Sequence, residues 1–312
     1  MQPTLTVRNS SLALCLLGLT FTAHAADDSY VSAMNYVSLD VQADNADSRD
    51  ESLTGSIGMG QYFWLQGSVG KLEDSSNLNL GDMNHFSIGM GLQGQHLMFR
   101  VNTSRYCSDD AYRQRDVDAS IEWRDERFTA GFDAKRRSTD NSLDTVRNFP
   151  TLGQTNVALH VDETLTGRGY GAHASFDVTD AFSVYLAGMT YSYDSDYTLT
   201  SSTNPLLVRR LLNQYPTLAE TVYLNDSGLT RSLALLDSSY NLGASYQFNS
   251  ALLSAQYFID QALDTGDQTQ TASVGLSFFV GDHWILAPQL GQSSSDVADD
   301  VTFGGLSISY NW

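Results

Sequence analysis

The feature that most constrains this chain is an alternation of apolar and polar residues that recurs along most of its length. Within 83–92, for example, Phe86, Ile88, Met90 and Leu92 share one parity, and small or polar residues occupy the other. Because side chains alternate across a β-strand with a period of two, each such segment predicts a strand with one apolar face. The fourteen predicted strands span 29–42, 52–60, 63–73, 83–92, 96–106, 116–124, 127–137, 168–178, 182–194, 238–248, 251–260, 270–280, 284–293 and 301–312.

The connections between these segments alternate between short and long. The short ones lie near 60–62, 93–95, 125–126, 179–181, 249–250 and 281–283, and several are followed by an aromatic residue. The long ones span about 43–51, 74–82, 107–115, 138–167, 195–237, 261–269 and 294–300. Tight turns at one end, longer loops at the other and flanking aromatics are typical of transmembrane β-barrels. A soluble β-sandwich has shorter strands, of about 5–6 residues, and no reason to alternate its loops.

The predicted fold is therefore all-β: a transmembrane antiparallel up-and-down β-barrel of about fourteen strands, with short periplasmic turns and long extracellular loops. An even strand number places both ends of the chain on the short-turn side. The last strand must pair with the first, because a membrane barrel leaves no open edge.

The last residues support this prediction. Leu306, Ile308, Tyr310 and Trp312 alternate with polar residues, and the chain ends on an aromatic. This ending resembles the C-terminal signal of Gram-negative outer-membrane proteins, with Trp where Phe is usual. The resemblance implies location in the outer membrane of a Gram-negative bacterium. It also implies recognition by the barrel-assembly machinery and contact with outer-membrane lipid and lipopolysaccharide.

The first residues have the form of a secretory signal. Arg8 precedes an apolar run from Leu12 to Phe21, and Ala23-His24-Ala25 supplies a small-x-small cleavage site. We expect a signal peptide at 1–25 and a single outer-membrane barrel domain at 26–312. No apolar stretch approaches the 18 residues of a membrane-spanning helix.

Composition excludes several classes of function. Of the 17 basic residues, 16 remain without Arg8, against 36 acidic residues, a formal charge of −20. A cationic nucleic-acid-binding protein is therefore not expected. Cys107 is the single cysteine after residue 25, so no internal disulfide is expected. The sequence has no metal-ligand spacing and no phosphate-binding glycine loop, and it predicts no metal, no cofactor and no catalytic residue.

The basic residues are unevenly placed. Nine of the 16 lie between Arg100 and Arg137, and none follows Arg231. Alternation directs a mixed but mainly basic set from three adjacent strands into the barrel. These candidate pore-lining residues are Arg100, Asp118, Glu122, Asp133, Lys135 and Arg137. Charges inside an aqueous pore set ion selectivity. The alternative is that they pair with one another and fill a narrow barrel.

These observations predict an outer-membrane channel for passive diffusion of small hydrophilic solutes, anionic solutes among them. In size and strand count the chain is similar to monomeric OmpG-like porins, which implies a monomer rather than a trimer. That likeness concerns architecture only, because the chain shares no motif with those porins. A second hypothesis is a non-transporting surface protein, either an adhesin or a partner in an assembly system.

An outer-membrane hydrolase is a third hypothesis. His173 and Ser175 lie on one face of a strand, and resemble two members of an outer-membrane phospholipase triad, but the required Asn is not evident. Asp116-x-Asp118 and His160-x-Asp162 resemble the paired groups of omptin proteases. Those proteases have ten strands, and this chain predicts fourteen.

Two features of the external segments carry further expectations. Residues 205–212 predict a short amphipathic helix within the long loop 195–237. It would fold into the mouth as a constriction or lid, or pack against the rim or the loop 138–167. The external segments are also acidic, so divalent cations could bridge them to lipopolysaccharide.

Overall fold

The computed structural model describes residues 35–73, 82–108, 112–149, 154–201, 236–263, 266–296 and 300–312, together with Val208, Arg209 and Leu212. The predicted signal peptide at 1–25 and the predicted strand residues 29–34 lie outside this described part. Fourteen strands follow in chain order. They are β1 (Tyr36–Asp44), β2 (Arg49–Met59), β3 (Phe63–Glu73), β4 (Met83–Gln93), β5 (Leu97–Ser108), β6 (Tyr112–Arg124), β7 (Phe128–Phe149), β8 (Gln154–Asp177), β9 (Phe182–Thr200), β10 (Leu236–Gln247), β11 (Ala251–Ala262), β12 (Gln268–Val280), β13 (Trp284–Ser295) and β14 (Val301–Asn311).

The strands form one closed antiparallel barrel in which each strand pairs with its neighbours in sequence. Strand β14 closes the wall against β1, with Leu306 opposite Val41 and Ile308 opposite Leu39. The backbone N–H of Trp312 donates to the carbonyl of Asn35 at 3.2 Å, which extends the seam to the last residue. The predicted fold class is confirmed. Closure satisfies the backbone groups of both edge strands, as a lipid environment requires.

The outer surface of the barrel is apolar. Phe86, Ile88 and Met90 on β4 and Val117 and Ile121 on β6 point outward and are about half exposed. A band of exposed large hydrophobic side chains around a closed barrel matches the lipid-facing belt of a membrane barrel. Polar and small residues occupy the opposite parity of the same strands and face the interior. Among the described residues, no helix is long and apolar enough to cross a membrane.

The prediction of an external loop at 138–167 is wrong. Most of it continues β7 and β8, which pair as far as Phe149 opposite Gln154, and only 150–153 separate the two strands. With the end of β9, these strands rise beyond the apolar belt as a three-stranded extension. Its outward residues are mainly polar, including Asp140, Ser142 and Asp144, although Val146 is also exposed there. The sequence obscured these strands because, away from lipid, their outer face loses its apolar residues.

Other connections at this end are also shorter than predicted. Only 45–48 lie between β1 and β2, and only 109–111 between β5 and β6. The segments 74–82 and 201–235 remain the longest connections. The turns at the opposite end have three or four residues, as in 60–62 and 178–181. The contrast between the two ends therefore comes from two long connections and from the strand extension, rather than from seven long loops.

A small apolar core lies on the inner face of the extension. Val157, Leu159 and Val161 of β8 and Leu199 of β9 are buried there with Val208, and Leu212 packs against the cluster. Val208, Arg209 and Leu212 are helical; the rest of the predicted helix 205–212 lies outside the described residues. Since the covered side chains point toward the barrel axis, Val208 lies on the axial side of the extension, next to the mouth.

Candidate functional site: the inner wall

Strands β5 to β8 bring the predicted pore-lining residues onto one section of the inner wall. Arg100 lies on β5, Asp118 and Glu122 on β6, and Asp133, Lys135 and Arg137 on β7. Their parity is opposite to that of the exposed outward residues Phe99, Ile121 and Phe132. The register places Asp118 opposite Lys135 and Asp116 opposite Arg137. All six candidates therefore point inward, and five of them take part in charge clusters on this wall.

The first charge cluster is centred on Asp116, whose side chain is only 2% exposed. Arg137 donates to both carboxylate oxygens, from Nε to Oδ1 at 3.1 Å and from Nη2 to Oδ2 at 3.0 Å. Lys135 Nζ bridges Asp116 Oδ2 at 3.2 Å and Asp118 Oδ1 at 3.3 Å. A bidentate arginine–carboxylate pair fixes orientation as well as charge. This cluster therefore holds two of the predicted pore cations against the wall.

The second charge cluster is centred on His173 of β8. Its Nδ1 lies 2.6 Å from Asp133 Oδ2, and its Nε2 lies 3.0 Å from Glu122 Oε2. Glu122 also accepts a hydrogen bond from Arg124 Nε. For both histidine contacts to be hydrogen bonds, both ring nitrogens must carry a proton, which makes the ring a cation between two carboxylates. Pattern reasoning from the sequence did not place His173 or Arg124 in this network, because both reach it across strand pairs.

Arg100 differs from the other inward lysine and arginine side chains. Arg124, Lys135 and Arg137 each have a carboxylate within 4 Å, but none of the described residues places one that close to Arg100. It lies opposite Ser120 on β6 and Gly91 on β4, and the ring of Trp64 packs over Gly91. Arg100 is therefore the inward cation best placed to meet a solute.

The predicted wall of mainly basic charge is wrong. Among the side chains that the structure describes on β5 to β7, the inward ones include four carboxylates, Asp116, Asp118, Glu122 and Asp133, and four cations, Arg100, Arg124, Lys135 and Arg137. Four other arginines of the same stretch, Arg105, Arg113, Arg115 and Arg136, have the outward parity and are exposed. The count of nine basic residues did not separate the two faces, although parity along each strand does.

The rest of the described inner wall is polar and contains acidic side chains without a lysine or arginine beside them. Asp40 and Asp50 face inward from β1 and β2, and Asp260 from β11. Gln289 of β13 points inward between Gly275 and Gly305 and is nonetheless exposed. Solvent therefore reaches the inner wall at its level. Among the described residues, no cluster of three metal-ligating side chains occurs.

Two tyrosines form an aromatic shelf on the wall of β8 and β9. Tyr191 and Tyr193 stack with ring centroids 6.4 Å apart, and they lie over Gly169 and Gly167 of β8. A Cβ at Gly167 would come within 2.6 Å of the Tyr193 ring, and one at Gly169 within 2.8 Å of Tyr191. Glycine is needed here because the rings lie flat against the neighbouring strand. Flat rings leave the barrel interior wider than rings that stand upright.

The two hydrolase constellations are not assembled. Both ring nitrogens of His173 contact carboxylates, so neither is directed at Ser175. Asp116 and Asp118 face inward and are engaged by Lys135, whereas His160 lies far along the extension on its outward face. The structure therefore brings together no nucleophile with a base among the residues that the sequence suggested.

His160 instead belongs to the polar outer face of the extension, beyond the membrane-spanning part. Its Nδ1 lies 2.8 Å from Asp144 Oδ1 and its Nε2 3.1 Å from Asp162 Oδ1. The hydrogen bond with Asp144, aided by the charge of Asp162, raises the pKa of His160 above its ordinary value. The contacts join β7 to β8 near the tip. Their stabilisation is full below the ordinary histidine pKa and is lost as pH rises through the raised value.

No family model and no curated protein sequence matches this chain. Among solved structures it is similar to the monoaromatic hydrocarbon channel CymD, with a TM-score of 0.53 and 11% identity, over 91% of this chain and 90% of that one. It is also similar to the KdgM porin, with a TM-score of 0.43 and 10% identity, over 89% of this chain and 99% of that one. The NanC porin gives a TM-score of 0.43 and 7% identity, over 88% and 100%. At these identities, the likeness to CymD shows a shared fold and nothing finer.

Proposed function

We propose that the protein is an outer-membrane channel for passive diffusion of small hydrophilic solutes. The observation that carries the proposal is a closed fourteen-stranded wall that is apolar outside and polar inside, with Gln289 exposed on the inner surface. Eight strands enclose a filled interior, whereas 16–18 leave a water channel. A polar, hydrated lining at fourteen strands favours a narrow aqueous passage.

Selectivity depends on which charges remain unpaired. Lys135 and Arg137 are neutralised by Asp116 and Asp118, so a preference for anionic solutes rests on Arg100 alone. The acids elsewhere on the wall favour cations. We therefore expect weak overall cation selectivity, with Arg100 as a local contact for a carboxylate or similar group. Tyr191 and Tyr193 add flat apolar surface with hydroxyl groups, which suits solutes that carry both ring faces and hydroxyls.

Single-channel recording of the refolded barrel in a planar bilayer, with a salt gradient, tests this function. We expect steady conductance steps. Replacing Arg100 and Lys135 with Ala should shift the reversal potential toward cations, because both changes leave the wall more negative. Arg105→Ala is the matched control: Arg105 lies on the same strand but faces outward, and its loss should leave the reversal potential unchanged.

The absence of conductance from correctly folded protein would contradict the channel proposal. In that case the surface hypothesis gains support from a specific observation. The extension of β7 to β9 presents a mainly polar outer face well above the apolar belt, on which His160 lies within hydrogen-bonding distance of both Asp144 and Asp162. Such a projecting surface suits contact with a partner.

A further inference from the structure

On four adjacent strands, an exposed arginine is the first charged residue above the apolar belt. From the short-turn end, the outward residues of β5, β6, β7 and β8 are apolar, apart from Thr103, until Arg105, Arg115, Arg136 and Arg168. We call these four residues the outer arginine patch. Their position at the end of the belt corresponds to the level of lipid headgroups in a membrane barrel.

Strand register makes the patch continuous. Arg105 lies directly opposite Arg115, and Arg136 directly opposite Arg168. Arg115 faces Ser138, two residues from Arg136, so these two arginines are diagonal neighbours on one face. Directly opposed side chains have Cβ atoms about 5 Å apart, and like charges at that spacing repel. Folding alone gives no reason for two such arginine pairs side by side, whereas an anion between them would remove the repulsion.

Carboxylates of the protein itself provide little of the negative charge that these arginines need. Arg168 lies 3.9 Å from Asp194, and within the described part of the chain no carboxylate is within 4 Å of Arg105, Arg115 or Arg136. Arg113, one position beyond Arg115 on the outward face, lies opposite Asp140 and is therefore not included in the patch.

The outward cations of this rim on β2 and β3 are paired with carboxylates of the protein itself. Arg49 pairs with Glu51 on β2. Lys71 on β3 lies 2.7 Å from both Glu73 and Asp82. The outer arginine patch differs from this part of the rim because three of its four residues, Arg105, Arg115 and Arg136, have no carboxylate within 4 Å among the described residues.

The surface directly below the patch is shaped for hydrocarbon. Phe132 is 71% exposed and Tyr170 65%, which places them among the most exposed large hydrophobic side chains of the barrel. Register places Phe132 opposite Ala172 and Tyr170 opposite Ala134. Each ring therefore projects beyond the small alanine side chain opposite it on the neighbouring strand. The groove between the two rings can hold an acyl chain next to the arginines.

We infer that the outer arginine patch binds the phosphate groups of a phosphorylated glycolipid of the outer leaflet, namely the lipid A part of lipopolysaccharide. Arginine suits this ligand because its planar guanidinium donates two parallel hydrogen bonds to phosphate. Phe132 and Tyr170 contact the acyl chains of the same molecule. The inference rests on the outer-membrane location in the proposed function, but not on an open pore.

The test is lipid binding to the refolded, full-length barrel in detergent, measured by native mass spectrometry in EDTA so that divalent cations cannot bridge acidic residues to lipid. The probe is a short-core lipopolysaccharide. We expect the wild-type protein to retain one lipid, and Arg115→Gln/Arg136→Gln to bind it about tenfold more weakly. Arg115→Lys/Arg136→Lys keeps the charge but loses the bidentate geometry. Its affinity for the lipid should lie between those of the wild-type protein and the glutamine variant.

The matched control is Arg49→Gln/Lys71→Gln, which removes two outward cations that already have protein partners and should leave binding unchanged. The wild-type protein should also bind the dephosphorylated lipid poorly. Equal binding by the wild type and both patch variants would overturn the inference, as would equal binding of the dephosphorylated lipid. Full displacement by millimolar inorganic phosphate would overturn the lipid assignment in favour of a free-anion site.

Conductance of the same variants separates this inference from the proposed function. The patch faces outward, so its variants should conduct as the wild type does. Normal conductance with unchanged lipid binding in the glutamine variant would reject the patch alone. If the wild-type protein binds the lipid but shows no conductance, the channel proposal is rejected and the lipid site is retained.

Discussion

At the scale of single residues, two carboxylates of the inner wall, Asp116 and Glu122, each contact two cationic groups. Asp116 binds Arg137 through both oxygens and also contacts Lys135. Charges taken out of water require such compensation, because an uncompensated buried charge is costly. The wall therefore carries many ionised groups while presenting little net charge from strands β5 to β7.

Replacing Asp116 with Asn should destabilise the barrel by about 3 kcal/mol, because it leaves Arg137 and Lys135 without their main partner in a nearly inaccessible position. The same change should shift ion selectivity toward anions, since it removes one negative charge from the inner wall. Urea unfolding in detergent micelles and reversal potentials measure the two effects.

Asp118→Asn is the matched control for that prediction. Asp118 is 35% exposed on its side chain and contacts Lys135 alone, so its loss should cost less than about 1 kcal/mol. Equal destabilisation by the two variants would show that the bidentate contact with Arg137 contributes nothing special.

At the scale of elements, the extension of β7, β8 and β9 is the part of the fold with its own apolar core. Val157, Leu159 and Val161 turn inward above the membrane level, and Val208 covers them. An exposed apolar face of this kind must be covered in water. The sequence left two alternatives for the predicted helix, entry into the mouth or packing against 138–167. Val208 and Leu212 pack against residues of 138–167, and they do so on the side that faces the mouth.

Val208→Asn should increase the fraction of time that the channel spends in its high-conductance state. Burial of a valine contributes about 1.5–3 kcal/mol, so its loss should shift the equilibrium between packed and released states about tenfold or more. Long single-channel recordings at fixed voltage measure the dwell times. Arg209→Asn alters the exposed neighbour and should leave them unchanged. Identical dwell times in both variants would mean that the cluster stabilises the extension without acting on the pore.

At the scale of the whole molecule, closure joins the last strand to the first and places an aromatic girdle at the short-turn end. Tyr310 lies 4.9 Å from Trp284 and 6.3 Å from Trp312 between ring centroids. Leu306 and Trp312 are exposed on the outer side of this seam, with Ile308 between them on the same face. The predicted assembly signal therefore lies on an accessible surface, where an assembly factor can contact it before the barrel closes.

Trp312→Ser should reduce the amount of protein assembled in the outer membrane several-fold, yet leave the refolded protein with normal conductance. The closed hydrogen-bonded wall does not depend on one exposed ring, whereas the predicted recognition by the assembly machinery would depend on Trp312. Quantifying heat-modifiable barrel in membrane fractions gives the result. Trp284→Ser removes a ring of the same girdle from an internal strand. A similar loss of assembled protein in that variant would contradict a specific role for the last residue.

The sequence by itself determined the wall of this protein. Alternation over fourteen segments set which residues face lipid and which face the interior, because strand geometry links parity to face without reference to distant residues. Parity placed Arg100, Asp118, Lys135 and the other candidates on the inner side. Parity did not reveal the strands at 138–167, beyond the membrane. There the outer face contacts water, so it lacks the row of apolar residues by which a membrane strand is recognised.

Only the tertiary structure decided how the charges are used. Whether Lys135 is a free pore cation or a partner of Asp116 depends on strand register, and so does the meeting of Glu122, Asp133 and His173 from three strands. Register also sets Arg105 against Arg115 and Arg136 against Arg168, which converts scattered arginines into an outward patch. Such pairings join residues far apart in sequence, and the pattern along a single strand does not contain them.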